Sequence, residues 1–310
     1  MSRIDEAMRR VSQAPHTGRG HTRGTDGSGS LRLADDVTLN EYPLEGRAGA
    51  RVEMTIASEP RVAAEPRIVT TPLKRQNGRA RTSLQHESNG KLVVGAARDT
   101  VSSEQYRRLA AALHDAQVDK GLKTVMVTSA VPREGKTLTV VNLALTLSQS
   151  YGRRVLLVDA DLRRPSVHEA LGIHNERGLS EVLLSNRMEL PLVEVAEQLW
   201  VLPAGRAEGS PLAVLSSDRM RKFLEEVAGR FDWVLLDTPP VGLLPDAQVL
   251  GHLVHAAVFV IRAGATPFAA VERAITDLGR ECIIGTVLND VDPRALPSAS
   301  YYGHYYPATP

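Results

Sequence analysis

Between Thr124 and Leu147 the chain passes through three segments that together leave little choice of fold. Thr124-Val-Met-Val-Thr-Ser129 is an apolar, β-branched run that reads as a buried strand. Ala130-Val-Pro-Arg-Glu-Gly-Lys-Thr137 is the loop after it, and Val140-Val-Asn-Leu-Ala-Leu-Thr-Leu147 is apolar enough to be a buried helix. A loop in that context, closing in Gly135-Lys136-Thr137, reads as a phosphate-binding loop. Backbone N–H groups at the helix start converge on one concavity, and the helix dipole adds positive potential there. Arg133, Glu134, Gly135, Lys136, Thr137 and Leu138 are therefore the candidate nucleotide contacts. Lys136 would reach the outer phosphates of ATP, and the Thr137 hydroxyl would sit on Mg2+, a hard cation that prefers oxygen. One position departs from G-x-x-x-x-G-K-[ST]: Ala130 stands where the first glycine belongs, and alanine tolerates fewer backbone angles. The competing reading is a Gly-Lys-Thr in an ordinary surface turn, which the flanking strand and helix argue against.

Two later apolar runs end in acids. Val155-Leu-Leu-Val-Asp159-Ala-Asp161 places two carboxylates two residues apart, on one side of an extended chain, and Phe231-Asp-Trp-Val-Leu-Leu-Asp237 ends a second buried strand. Open α/β sheets bind ligands beyond the C-terminal strand ends, so Asp159, Asp161 and Asp237 would gather at the loop for metal and proton work. Asp237 in particular can hold magnesium through water. The structural alternative is that one acid of the first pair caps the next helix while the other pairs with Arg163 or Arg164. Asn289 ends a strand at Cys282–Asn289 on the same sheet edge, either to contact the nucleotide base, the favoured reading, or to cap the following turn.

Further strands are expected at Trp200–Pro203 and Ala256–Arg262. Helices are expected from Glu104 to Leu113, at 166–171 and 178–185, as one long helix from Pro211 to Arg230, and from Pro267 to Gly279. This alternation implies an α/β fold of the P-loop NTPase type, a mostly parallel sheet flanked by helices. The chain has 310 residues, and 43% hydrophobic composition suffices for a sizeable core, but not throughout. Residues 1–100 hold a single aromatic, Tyr42, among many Gly, Pro, Ser, Arg and Asp, too little apolar surface to offset ordering entropy. Residues 1–90 are therefore expected to be largely disordered. A short helix at 2–12 either docks or frays, and β-like pieces near 51–56 and 67–71 are left outside any domain. The ordered domain would span 91–296, followed by a flexible tail at 297–310. A net charge of +1 gives no field for nucleic acid. Lone Cys282 excludes an internal disulfide framework and reads as a core residue. No apolar run reaches about 18 residues and no signal-like segment opens the chain, so a cytoplasmic protein is expected.

The tail carries Tyr301, Tyr302, Tyr305 and Tyr306, of seven tyrosines in all. With Glu134-Gly-Lys-Thr137, Val-Asp159-Ala-Asp161-Leu-Arg-Arg-Pro and Leu-Leu-Asp237-Thr-Pro-Pro ahead of it, the chain from about 90 to 306 resembles the bacterial tyrosine autokinases of capsule and exopolysaccharide loci. That family is a cousin of the ParA and MinD ATPases. The resemblance implies an ATP- and Mg2+-dependent kinase that regulates polysaccharide polymerisation or export. In it Lys136 and Thr137 bind phosphates and metal, Asp159, Asp161 and Asp237 organise the metal and activate the incoming hydroxyl, and the four tail tyrosines are the phosphate acceptors. It also implies a homo-oligomer and a separate membrane-bound activator that recruits the chain to the inner face of the cell membrane. The family's Glu-x-x-Arg-x-x-Arg assembly helix is represented by Glu104 and Arg107, with Ala110 in the third position and Arg108 adjacent. The chief rival is a ParA- or MinD-like positioning ATPase, which would carry an early loop lysine where this chain has Val131 and would have no use for the tyrosine tail. A nucleotide-binding module without turnover is the second, and retention of all three acids argues against it.

Overall fold

Apolar runs alternating with amphipathic segments assemble into an eight-stranded sheet with helices on both faces. The structure, a computed structural model, describes residues 67–72, 92, 100–185, 189–206 and 209–292. The strands are β1 (Arg67–Pro72), β2 (Thr124–Ser129), β3 (Val155–Asp159), β4 (Glu189–Ala196), β5 (Leu199–Leu202), β6 (Trp233–Asp237), β7 (Ala256–Arg262) and β8 (Ile283–Asn289), in the order β1-β4-β5-β3-β6-β2-β7-β8. Every pairing is parallel except that of β4 with β5. The helices are α1 (Thr100–Lys120), α2 (Lys136–Tyr151), α3 (Val167–Leu171), α4 (Leu179–Leu184), α5 (Pro211–Leu215), α6 (Asp218–Arg230), α7 (Asp246–Gly251) and α8 (Phe268–Leu278).

Because successive strand residues face opposite sides, each central strand feeds two cores. Met126, Leu156, Val158, Val234 and Leu236 face one, with α4, α6 and α8 supplying Leu179, Phe223 and Val271. Val125, Val127, Val155, Leu157 and Leu235 face the other, with Ala110 and Leu113 of α1 and the body of α2. Residues 139–148 of α2 are all buried, since the helix lies between the sheet and α1. That position explains why its sequence is apolar almost all round.

The observed elements differ from the sequence expectation in five places. The piece at 67–71 is a strand of the sheet, pairing in parallel with β4 rather than lying outside the domain. β4 was not expected, although its alternation of Leu190 and Leu192 as buried positions is readable once Pro191 is accepted within a strand. Helix α1 runs to Lys120 rather than Leu113 and stops at Gly121, whose φ of 67° ends the turn. The long helix at 211–230 is two helices, because Ser217 accepts a hydrogen bond from Met220 N at 3.3 Å and starts α6 afresh. Helix α7 was also unexpected. Ala110 is fully buried, while Glu104 lies within 3.6 Å of Arg107 and 3.9 Å of Arg108, so position 110 presents no side chain for assembly. The expected helix at 2–12, the β-like piece at 51–56 and the tail tyrosines lie outside the described residues.

Candidate active site

The loop between β2 and α2 takes its shape from two left-handed residues and from four hydrogen bonds that meet at Glu134. Gly135 has φ of 93° and Arg133 φ of 66°, the left-handed region that glycine adopts freely and arginine does not. Ala130 is not among the residues with positive φ, so the position where the motif has glycine asks no left-handed backbone of alanine. The Glu134 carboxylate is buried. Its Oε2 accepts from Val131 N at 2.8 Å, and its Oε1 accepts from Arg262 N at 3.2 Å and from the Thr266 hydroxyl. This carboxylate is committed to the loop's own shape and to the end of β7, which leaves only the residue's backbone as a nucleotide contact. Asn289 Nδ2 donates to Glu134 O at 2.9 Å, and a Cβ on Gly135 would meet that nitrogen at 2.0 Å. Asn289 thus braces the loop, a role that neither sequence reading anticipated.

Beside the loop lies a cavity of about 560 Å³. Arg133, Gly135, Lys136, Thr137 and Leu138 form one side, and Asp161, Arg163, Arg164 and Ser166 another. Pro239, Pro240, Leu243 and Leu244 supply an apolar wall. The Thr137 hydroxyl donates to Asp237 Oδ2 at 2.6 Å and lies 2.7 Å from the Ser166 hydroxyl. Asp237 Oδ1 is buried without a hydrogen-bond partner. A threonine hydroxyl beside an unpartnered carboxylate oxygen is the donor set a magnesium ion favours, directly or through water. No group of three His, Cys, Asp or Glu among the described residues would hold a metal alone. Magnesium suits such a site because it keeps several waters and takes other ligands from phosphates.

The strand register brings the acids together: Asp159 of β3 lies opposite Asp237 of β6. Asp159 is fully buried, its Oδ2 accepting from Ser166 N at 3.0 Å and Val167 N at 3.1 Å, its Oδ1 from Asp161 N at 3.3 Å. The capping half of the structural alternative is therefore what Asp159 does. The ion-pair half is not realised, since Asp161 Oδ1 accepts from Arg164 N at 3.0 Å and Arg163 pairs instead with Asp246. Burial pushes all three carboxyls up. Asp237 reaches about 7, mainly by desolvation, with Thr137 and Lys136 acting against the rise. Asp159 is raised well above the usual carboxylate range by desolvation and then by repulsion from Asp237. Asp161 is raised by desolvation, against the pull of Arg164 N and Lys136. Sequence reasoning missed Ser166, Arg163, Asp246 and Thr266 as parts of this site.

The chain is similar to proteins of a known family. Residues 131–270 match the family model described as an AAA domain. The tyrosine-protein kinase YwqD of Bacillus subtilis is 37% identical over 210 residues, covering 66% of this chain and 87% of that protein. The tyrosine-protein kinase wzc of Salmonella typhimurium is 31% identical over 218 residues, 69% of this chain but 30% of that protein, so the chain spans under a third of the longer relative. Among solved structures, the kinase domain of Escherichia coli tyrosine kinase ETK superposes with a TM-score of 0.58 at 33% identity, covering 63% of this chain and 77% of that one.

Proposed function

This chain belongs to the family of bacterial tyrosine-protein kinases, and from that premise we propose that it is an ATP-dependent protein-tyrosine autokinase regulating the polymerisation or export of a capsular polysaccharide or exopolysaccharide. The observation that carries the reading is the Thr137–Asp237 hydrogen bond beside the unpartnered Asp237 Oδ1, at the start of α2 and within reach of Lys136. Lys136 and the N–H groups at the start of α2 would bind the phosphates, with Thr137, Asp237 and Asp161 disposed around Mg2+. The metal, when bound, would neutralise phosphate charge. Asp161 is the favoured acceptor for the phenolic proton. It lines the cavity, and burial raises its basicity, whereas both oxygens of Asp159 already accept backbone N–H groups. Lys136 then neutralises phosphate charge while Asp161 orients the incoming hydroxyl, which is most of what a loose phosphoryl-transfer transition state asks of a protein.

The acceptors in this reading are Tyr301, Tyr302, Tyr305 and Tyr306, delivered by a neighbouring subunit, and Asn289 adds a contact to the base. Among the described residues no helix is long and apolar enough to cross a membrane, which suits a cytoplasmic chain recruited by a separate membrane-bound activator. The test is incubation of the protein with ATP and Mg2+, with and without such an activator, followed by phosphotyrosine detection. Tyrosine phosphate that disappears in Lys136→Met is the expected result. ATP hydrolysis with no phosphotyrosine under either condition would favour a ParA- or MinD-like positioning ATPase instead.

A further inference from the structure

Arg163 and Asp246 stand 83 residues apart, in the turn after β3 and at the first residue of α7. The guanidinium grips the carboxylate with two donors, Nε to Oδ2 at 2.7 Å and Nη2 to Oδ1 at 3.3 Å. The two partners differ sharply in environment: the Asp246 side chain is 1% exposed, and that of Arg163 is 36% exposed. Arg163 also lines the cavity that holds Lys136, Thr137 and Asp161.

A buried ion pair is a poor device for stability, because desolvating two charges cancels much of their attraction. What it supplies here is direction. A planar guanidinium held at Nε and Nη2 cannot swing, and three of its five N–H groups remain for another ligand. Lys136, by contrast, is a point charge on a flexible stem. In phosphoryl transfer the negative charge spreads over the equatorial oxygens of the moving group, and donors already aimed at that charge contribute most. Resting on the phosphotransfer reading above, we infer that Arg163 is a catalytic donor to the transferring phosphoryl group and that Asp246 is the positioning residue that aims it. The buried carboxylate touches no substrate; it acts through the arginine.

The alternative is that the pair merely ties the turn after β3 to α7, and steady-state kinetics on the full chain with ATP and Mg2+ separates the two. Asp246→Asn keeps the shape and removes the charge, so kcat for tyrosine phosphorylation should fall roughly 10- to 100-fold while KM for ATP stays within about twofold, the pattern of a misaimed transition-state donor. Arg163→Lys should behave likewise, and the double variant should be no slower than the slower single. Millimolar guanidinium chloride should restore turnover to Arg163→Ala but not to Arg163→Ala with Asp246→Asn, because the free cation needs the buried carboxylate to seat it. Circular dichroism and melting accompany each variant. If Asp246→Asn does not fold, Asp246→Glu, which keeps the charge but shifts the fork, takes its place with the same expected loss of kcat. An unchanged kcat in the folded variant, or equal guanidinium rescue with and without Asp246, overturns the inference while the kinase reading stands. Absence of phosphotyrosine from the wild-type chain would instead sink the kinase reading itself.

Discussion

At Asp237 catalysis and stability pull in opposite directions. Its carboxyl is pushed up to about 7 in the folded chain, chiefly by desolvation, against about 3.9 in an unfolded one. Between those values the folded state keeps a proton that the unfolded state has lost. The group's contribution to stability therefore falls as pH rises through that window and recovers as pH drops. Asp237→Asn substitutes a neutral group of the same shape. It should raise the melting temperature of the ligand-free protein by a few degrees at about pH 8, and by far less near pH 4, where the folded wild type is protonated and the unfolded one about half so. Scanning calorimetry at the two pH values checks this, and a lower melting temperature at the higher pH would mean that the carboxylate is net stabilising. In the proposed kinase reading the same substitution should lower phosphotransfer by orders of magnitude, since it would remove a charge that organises the metal.

The nucleotide loop is an element whose shape is imposed by its neighbours. Glu134 ties it to the end of β7 and Asn289 ties it to the end of β8, while Gly135 admits Asn289 because it has no Cβ. Gly135→Ala therefore carries two faults, a left-handed φ and a clash, and should abolish binding of a fluorescent ATP analogue. Adding Asn289→Ala clears the clash but leaves the left-handed φ and removes the brace on Glu134 O, so affinity should return only in part and stay below that of Asn289→Ala alone; equal affinity of the two would show that the φ of 93° is not needed. A second element-level prediction concerns the break between α5 and α6. Ser217 caps α6, and Ser217→Ala should cost about 1 kcal/mol, seen as a fall of roughly 2–4 °C in melting temperature with m-value unchanged. The break was hard to read in the sequence because Leu212, Leu215, Met220, Phe223, Leu224 and Val227 continue one apolar stripe across it. Ser217 was the available signal.

For the whole molecule, the strand ends gather one site on one edge of the sheet, and the described chain leaves that edge after β8 toward the tyrosine tail. From Asn289 to Tyr301 is about a dozen residues, enough at about 3.3 Å each to reach either its own site or a neighbour's. Transfer between subunits predicts that Lys136→Met chains, mixed with active chains lacking Tyr301, Tyr302, Tyr305 and Tyr306, gain phosphate on their tails. Mass spectrometry of the tail peptide reads this, and an unmodified inactive chain beside normally modified wild type would restrict transfer to the same chain. Each phosphate adds roughly −1.5 to −2 charge, so full modification adds about −6 to −8 at one end and should weaken the proposed homo-oligomer. Light scattering before and after incubation with ATP measures that directly.

Local patterns were enough to identify the strand, loop and helix around Lys136, the β/α alternation, and the acids at the ends of β3 and β6. Each of these is written in residues that are sequence neighbours, with a period of two in strands and a glycine where the loop must turn. Edge strand β1 and its neighbour β4, which lies between β1 and β5, were less legible because their sequences carry a weaker apolar signal. Which acid faces the cavity, which one caps α3, and what Arg163 grips depended on contacts absent from any local pattern. Arg163 with Asp246 and Thr266 with Glu134 join positions 83 and 132 residues apart. A buried carboxylate looks the same in sequence whether it accepts backbone N–H groups, braces a loop or aims an arginine. Only the packing of the sheet ends against one another decides among those roles, because only there is each charge desolvated and forced to find a partner.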